Sequence, residues 1–317
     1  MIKLTCFFLI LIGCILCRSE LSFQYAALGL TLWFERMIPA LFPFMILSGI
    51  MVRLGLTEKI SVFLKPMLRP IFHVSGNVCY AIFMGFLCGF PMGAKVVSDL
   101  YTNKQIMKRE AEFLLAFCNN IGPVYFCSFV LPLLERKMVL PYLFGMYGIP
   151  LFYGLILRYT AFRDLDAYFP TNTIQKQKGI NVSVVKTPAY HNNLTLLDAV
   201  DDSVHSSVHS ILALGGYMIL FNILNILPRL CFGEKYILFA PLLEISGGLM
   251  VLESRLPLYS LLVLSFGGLS CLAQTYHCIR ETDLSIGNYT LHKIILTLLN
   301  VIYYLSWFLV SSQTFLR

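Results

Sequence analysis

GFLCGFPMGAK, residues 85–95, interrupts an apolar run that opens at residue 70 and closes at residue 94. A helix needs about 20 apolar residues to cross the hydrocarbon core, and this run is long enough to cross once. It is flanked by Arg69 and Lys104, however, and both belong to the face richer in lysine and arginine. A run that enters and returns on one face is a re-entrant hairpin of two half-helices. Its tip is Gly89-Phe90-Pro91-Met92-Gly93. Proline lacks an N–H and is favoured at the first position of a helix, so Pro91 is expected to open the second half-helix. Non-helical backbone at this depth is tolerated only where protein or a water-filled cavity covers it. The break therefore points to a site.

Composition places the rest of the chain in the same solvent. Of 317 residues, 57% are hydrophobic and 13% charged, against about 25% charged in soluble chains. The mean hydropathy is +0.74. An all-α, polytopic membrane protein follows, with the lipid bilayer as its first partner. A net charge of +7, scattered along the chain, gives no reason to expect nucleic acid. The ten cysteines nearly all lie in apolar runs, where cysteine behaves as a small hydrophobe. No disulfide, metal or cofactor is expected.

Stretches free of Asp, Glu, Lys and Arg set the crossings. The first spans residues 4–17, extended through 19–23; Lys3 also suits a signal peptide, but no small-x-small cleavage site follows. Others are 37–52 (lengthened back through 26–33), 113–134, 138–157, 203–228, 236–243, 256–279 and 294–316. Residues 58–69, EKISVFLKPMLR, space Ile60, Phe63, Leu64 and Leu68 at helical intervals between basic residues, which suits a helix lying in the interface. The expected organisation is a first helix (1–23), a first repeat (24–135, hairpin near 76–101) and a linking helix (136–161). A polar cytoplasmic loop (162–202) and a second repeat (203–317, hairpin near 248–285) complete it. Lysine and arginine crowd the loops on the side of Lys3, so the N-terminus is expected in the cytoplasm.

The second repeat rests on a recurring pattern. Residues 70–76, PIFHVSG, and 241–247, PLLEISG, both read P-x-x-x-[VI]-S-G, and each precedes an apolar run broken by glycine. The second break is Gly267-Gly268-Leu269-Ser270. With one linking helix between them, the copies start from opposite faces. Two inverted halves with interrupted segments at corresponding positions mark a secondary-transporter site.

Three stretches carry a family resemblance: GFLCGFPMGAKVVSDL (85–100), EAEFLLAFCNNIGP (110–123) and IPALFPFMILSGI (38–50). They resemble the sporulation integral membrane protein YlbJ family, within the Gate (nucleoside-recognition) group, whose architecture is similar to concentrative nucleoside transporters. The resemblance covers roughly residues 28–134 well and 211–274 more loosely. It implies an endospore-forming bacterium and movement of dipicolinic acid from the mother cell toward the forespore, across the mother-cell-derived membrane around it.

A half-helix beginning at Pro91 is expected to leave unpaired N–H groups and its positive dipole end at mid-membrane. Met92 and Gly93 would contribute backbone there, and the Lys95 ammonium would lie one turn further on. Together they have the right sign for a dicarboxylate; the alternative is that Lys95 reaches the cytoplasmic surface. GFPMGAK is not a phosphate loop, because Ala94 and Val96 stand where that motif needs glycine and Ser/Thr. Asn119 and Asn120 sit mid-crossing beside Pro123, which frees the Asn119 carbonyl, and they are read as site residues or as interhelical glue. Gly268, Ser270 and Gln274 follow the second break and offer neutral hydrogen bonds. Glu244 is a candidate coupling carboxylate or a plain interfacial charge. His205 and His209, after three aspartates, suggest a metal site only superficially, since acids favour a helix N-terminus. His277 and His292 read as interfacial. No catalytic constellation recurs, so the chain is not expected to be an enzyme. The expected function is a transporter or facilitator for a small anionic substrate. The alternatives are a sporulation scaffold and a nucleoside or ion gate. The oligomeric state stays open, a homo-oligomer included.

Overall fold

The computed structural model describes residues 2–134, 136–168, 195–253 and 255–314. Among the described residues every regular element is helical, and five runs are long and apolar enough to cross a membrane: Ser19–Arg53, Arg136–Tyr159, Leu196–Leu238, Pro257–Ile279 and Ile286–Ser311. Large apolar side chains such as Phe23, Leu140, Phe152 and Leu309 point outward. Lipid, not water, is the solvent that such a surface fits.

The chain opens with α1 (Ile2–Cys17). The next helix, α2, runs unbroken from Ser19 to Arg53. Residues 19–23 therefore belong to the second helix rather than extending the first, because Arg18 leaves helical geometry (φ −126°, ψ 51°). A π-helical turn, Trp33–Met37, widens α2 just before Pro39, which has no N–H to give the preceding turn.

The stretch expected as one helix, 58–69, is broken into Thr57–Ile60, a 3-10 turn at Ser61–Phe63 and α3 (Lys65–Phe72), and α3 meets α4 (Gly76–Cys88) at 103°. Local residues make this corner. His73 ends α3 in the left-handed region (φ 48°), and the Ser75 hydroxyl accepts from Val78 N to cap α4. After Gly89-Phe90-Pro91 the chain continues as α5 (Met92–Thr102). Pro91 is the cap residue rather than the first helical one. Asn77, at the start of α4, donates to the carbonyl of Gln105, just past the end of α5 (3.0 Å). The Thr57 hydroxyl lies within 3.0 Å of both side chains. The two helices thus fold back on each other, and their outer ends meet.

Two short helices, α6 (Lys108–Phe117) and α7 (Pro123–Leu133), flank a second irregular stretch. Then comes α8 (Arg136–Tyr159), long and apolar enough to cross. Arg158, buried near its end, donates to the carbonyls of Phe72 (2.6 Å), Phe162 (3.1 Å) and His73 (3.2 Å). It locks the corner between α3 and α4. Arg158→Leu would strand these acceptors; at about 1.5–3 kcal/mol for a hydrogen bond from a charged group, the thermal midpoint in detergent should fall by several degrees.

Most of the polar loop expected at 162–202 lies outside the described residues. Its far end is already helical: α9 (Leu196–Ile223) begins with a Thr195–Asp198 capping box. The aspartates that looked like loop or metal ligands are the acidic first turns of this helix. α9 packs antiparallel to α2, with Trp33 donating to the Ile211 carbonyl (2.8 Å) and Arg53 to the Ser203 hydroxyl (3.0 Å).

Beyond α9 come α10 (Ile245–Leu252), α11 (Pro257–Phe266), α12 (Gly268–Ile279) and α13 (Ile286–Thr314). The second reversal is not at Gly267-Gly268. α11 and α12 run on as one 23-residue span, and the chain turns back earlier, between Leu252 and Pro257. Glu253 (φ 52°) ends α10, Pro257 opens α11, and Glu253 and Arg255 form an exposed ion pair at 3.4 Å. A Cβ on Gly268 would lie 3.3 Å from Ile245 N, so α11 returns to the point from which α10 leaves. At the other end of the span, Asp283 accepts from Tyr101 and Lys108, both at 2.8 Å. The Lys108 hydrogen bond, then that of Tyr101, holds the Asp283 carboxyl below its ordinary range. The connectors after α5 and after α12 therefore share one end of the molecule.

Candidate functional site

Two breaks cross at the centre of the first half. Phe90 N donates to the Asn120 carbonyl (2.6 Å), and Gly89 and Ile121 form an isolated antiparallel bridge. The approach is closer than any side chain permits. A Cβ on Gly89 would lie 2.2 Å from Gly122 N, and one on Gly122 would lie 2.5 Å from the Cys88 carbonyl carbon. Gly89 also sits at φ +79°, open to glycine at little cost.

Three of the N–H groups expected to await a guest at the tip are already bonded within the protein. Gly93 N donates to the Gly89 carbonyl (2.9 Å) and Lys95 N to the Pro91 carbonyl (3.0 Å). Ala94 N donates to Asn119 Oδ1 (3.3 Å). The crossing brings an acceptor side chain into the place reserved for an anion. Met92, fully buried, begins the helix behind it.

Asn119 is the hub of this centre. Besides receiving Ala94 N, its amide donates to Thr275 Oγ1 on α12 (3.0 Å) and Tyr289 OH on α13 (3.1 Å). Asn120 stays local and donates to the Phe117 carbonyl (2.6 Å), closing the end of α6. Lys95 is elsewhere. Its ammonium pairs with Asp99 (2.7 Å) and donates to Ser206 on α9 (3.1 Å). Its charge is matched, and it does not line the central cavity.

That cavity lies between the first crossing and the second half. Phe90, Pro91, Gly122, Tyr125, Glu244 and Gln274 are among its walls, and its volume is about 20 Å³. This is room for roughly one water. Gln274 donates to Ser270 (2.8 Å), both buried, and Tyr125 OH meets Ser246 Oγ at 3.0 Å. Gly268 lies behind them against residues 243–245.

Glu244 is buried within the protein. It is 2% exposed and accepts from Gly247 N (2.6 Å), Ser246 N (3.1 Å) and Asn222 Nδ2 (3.2 Å). A carboxylate at the start of α10 takes the place that a helix N-terminus offers an anion. In the first half the capping role falls to Ser75, two positions later in the shared pattern, and His73 stands where the second half has Glu244. His209 and His277 lie ring to ring, with centroids 5.6 Å apart.

Besides Arg158, two further buried ionisable residues were missed from the sequence. Glu110 accepts from Met107 N (2.9 Å) and Ser75 (3.2 Å) and joins α6 to the cap of α4. Lys293, at the edge of the last apolar run, is 3% exposed; its ammonium is 3.4 Å from the Asn119 carbonyl, and the Phe90 ring centroid is 6.0 Å away.

A family model described as Gate, nucleoside recognition, matches residues 34–139, which include both crossing breaks. The sporulation integral membrane protein YlbJ of Bacillus subtilis (strain 168) is 31% identical over 228 residues, 69% of this chain and 54% of that protein. The chain thus spans about half the length of the curated relative it matches. No solved structure matches. With five helices long and apolar enough to cross a membrane and the Gate match over residues 34–139, the chain belongs to the YlbJ family of multi-pass integral membrane proteins.

Proposed function

We propose that this protein is a membrane transporter or facilitator for a small anionic substrate, with dipicolinic acid during endospore formation as the candidate. The reading is supported chiefly by one observation. Irregular backbone from the first half meets polar side chains of the second around a closed central cavity, the arrangement in which broken segments serve transport. Sporulation comes from the printed name of the relative. On this reading the fold-back of α4 on α5 is a re-entrant hairpin, the halves are inverted repeats, and the N-terminus is cytoplasmic. Substrate binds around Pro91, Met92, Gly93, Asn119, Asn120, Gly268, Ser270 and Gln274. One water's volume cannot hold a dozen heavy atoms, so transport requires the two halves to move apart.

A neutral substrate is favoured by one feature, the hydrogen-bonding wall of Gln274, Ser246 and Tyr125, and by the description of the matching family model. Labelled dipicolinate uptake into liposomes holding the purified protein, with nucleosides as competitors, decides. Saturable uptake untouched by nucleosides is expected. Uptake equal to that of empty liposomes would leave a scaffold.

Glu244 is the proposed coupling carboxylate. Glu244→Gln should keep uptake down a dipicolinate gradient and lose its stimulation by an inward proton gradient. Equal stimulation in variant and parent would remove Glu244 from coupling.

A further inference from the structure

Among the described residues the buried charges are accounted for, with one exception. Lys95 has Asp99, Arg158 has three short or near-ideal bonds to carbonyls, and Glu244 has two backbone amides and Asn222. Lys293 has only neutral partners: the Asn119 carbonyl at 3.4 Å and the face of Phe90 at 6.0 Å. Both contacts sit at the outer limit of their kind. The residue lies about 10 Å along α13 from Ile286, at 1.5 Å per residue. An ammonium held from water without a counter-charge destabilises the fold, and such a group inside a membrane helix marks a pathway or ligand by default.

Its surroundings indicate which ligand. The Phe90 ring faces Lys293, lines the central cavity, and lies 3.6 Å from where a Cβ on Gly267 would stand. One aromatic ring therefore touches the cavity, the kink of the second half and the unmatched charge. Resting on the transport reading above, we propose that Lys293 pairs with the carboxylate of the transported anion once Phe90 has moved aside. The ligand class is a small carboxylate, and Phe90 covers the lysine in the closed conformation.

The test compares the parent with Lys293→Met and Lys293→Arg in liposomes, using dipicolinate as the probe, alongside thermal midpoints in detergent. Lys293→Met should raise KM for dipicolinate roughly 100-fold, the scale of losing a buried charge partner. Its thermal midpoint should rise, because an unmatched charge has been replaced by an apolar chain of similar size. Lys293→Arg should recover most of the affinity. A merely structural lysine would give the opposite pattern, a lower midpoint with KM unchanged. If Lys293→Met does not accumulate, Lys293→Gln carries the same KM readout. A parent that transports and a variant with the same KM would overturn the assignment and leave the transport reading standing. A parent that carries no dipicolinate would overturn both.

Discussion

Gly89→Ala should remove most of the folded protein from the membrane. The new methyl would stand 2.2 Å from Gly122 N and 2.8 Å from the Asn120 carbonyl oxygen, and both obstacles are backbone, which cannot swing away. Overpacking costs about 1–3 kcal/mol even where side chains can yield, and a β-carbon at φ +79° adds about 1–2 kcal/mol. A loss of about 3 kcal/mol or more lowers the thermal midpoint by roughly 6–12 °C for a chain of this size. Relief requires the two breaks to separate, which breaks the Phe90–Asn120 hydrogen bond and opens the cavity wall. The control is Gly216→Ala on α9, where a Cβ meets no heavy atom within 4 Å. There alanine should be neutral or gain up to about 1 kcal/mol from helix propensity. Thermal scanning of both variants in one detergent, with membrane accumulation measured in parallel, checks the contrast. Equal midpoints would mean that the breaks do not cross as described.

The second large effect is expected at Asn119. Its side chain joins the start of α5 to α12 and α13 through Ala94 N, Thr275 and Tyr289. Asn119→Ala deletes three hydrogen bonds and leaves their partners in a dry centre, where each unsatisfied group costs about 1–3 kcal/mol. Asn120→Ala deletes only the bond to the Phe117 carbonyl and should cost about 1 kcal/mol. The neighbouring amides, indistinguishable in sequence, should therefore differ by several degrees in thermal midpoint. Asn119→Ala should also lose transport, because the first hairpin is no longer tied to the second half. A pair of variants with matched midpoints would contradict the hub.

The first break was legible because glycine, proline and glycine stand together inside an apolar run whose flanking charges belong on one face. The second was misplaced for a physical reason. Gly267-Gly268 gives a kink, and glycine permits a kink or a reversal equally well. The turn itself is made by polar, outward residues, Glu253 and Arg255, closed by Pro257. The 23 residues from Pro257 to Ile279 already fit one crossing. Lys95 was read as a free charge although Asp99 follows at i+4, the spacing at which helical side chains meet. Glu244 was set near the interface because residues 236–243 were taken as a crossing. They form short turns instead, a 3-10 segment and Ala240–Leu243, and the carboxylate is buried among the helices. Lys293 was set aside as the flank of an apolar run. Only packing reveals that a flank is buried.

Site-directed labelling tests the central claim, a chain that reverses inside the bilayer. Single cysteines replace Glu58, Asn103, Glu281 and Arg255 in turn, in a variant whose native exposed cysteines are serine. A membrane-impermeant maleimide added to sealed vesicles should modify positions 58, 103 and 281 from one and the same side, and position 255 only from the other. Labelling of positions 58 and 103 from opposite sides would make the run from α4 to α5 an ordinary crossing, and the chamber built on its return would not exist.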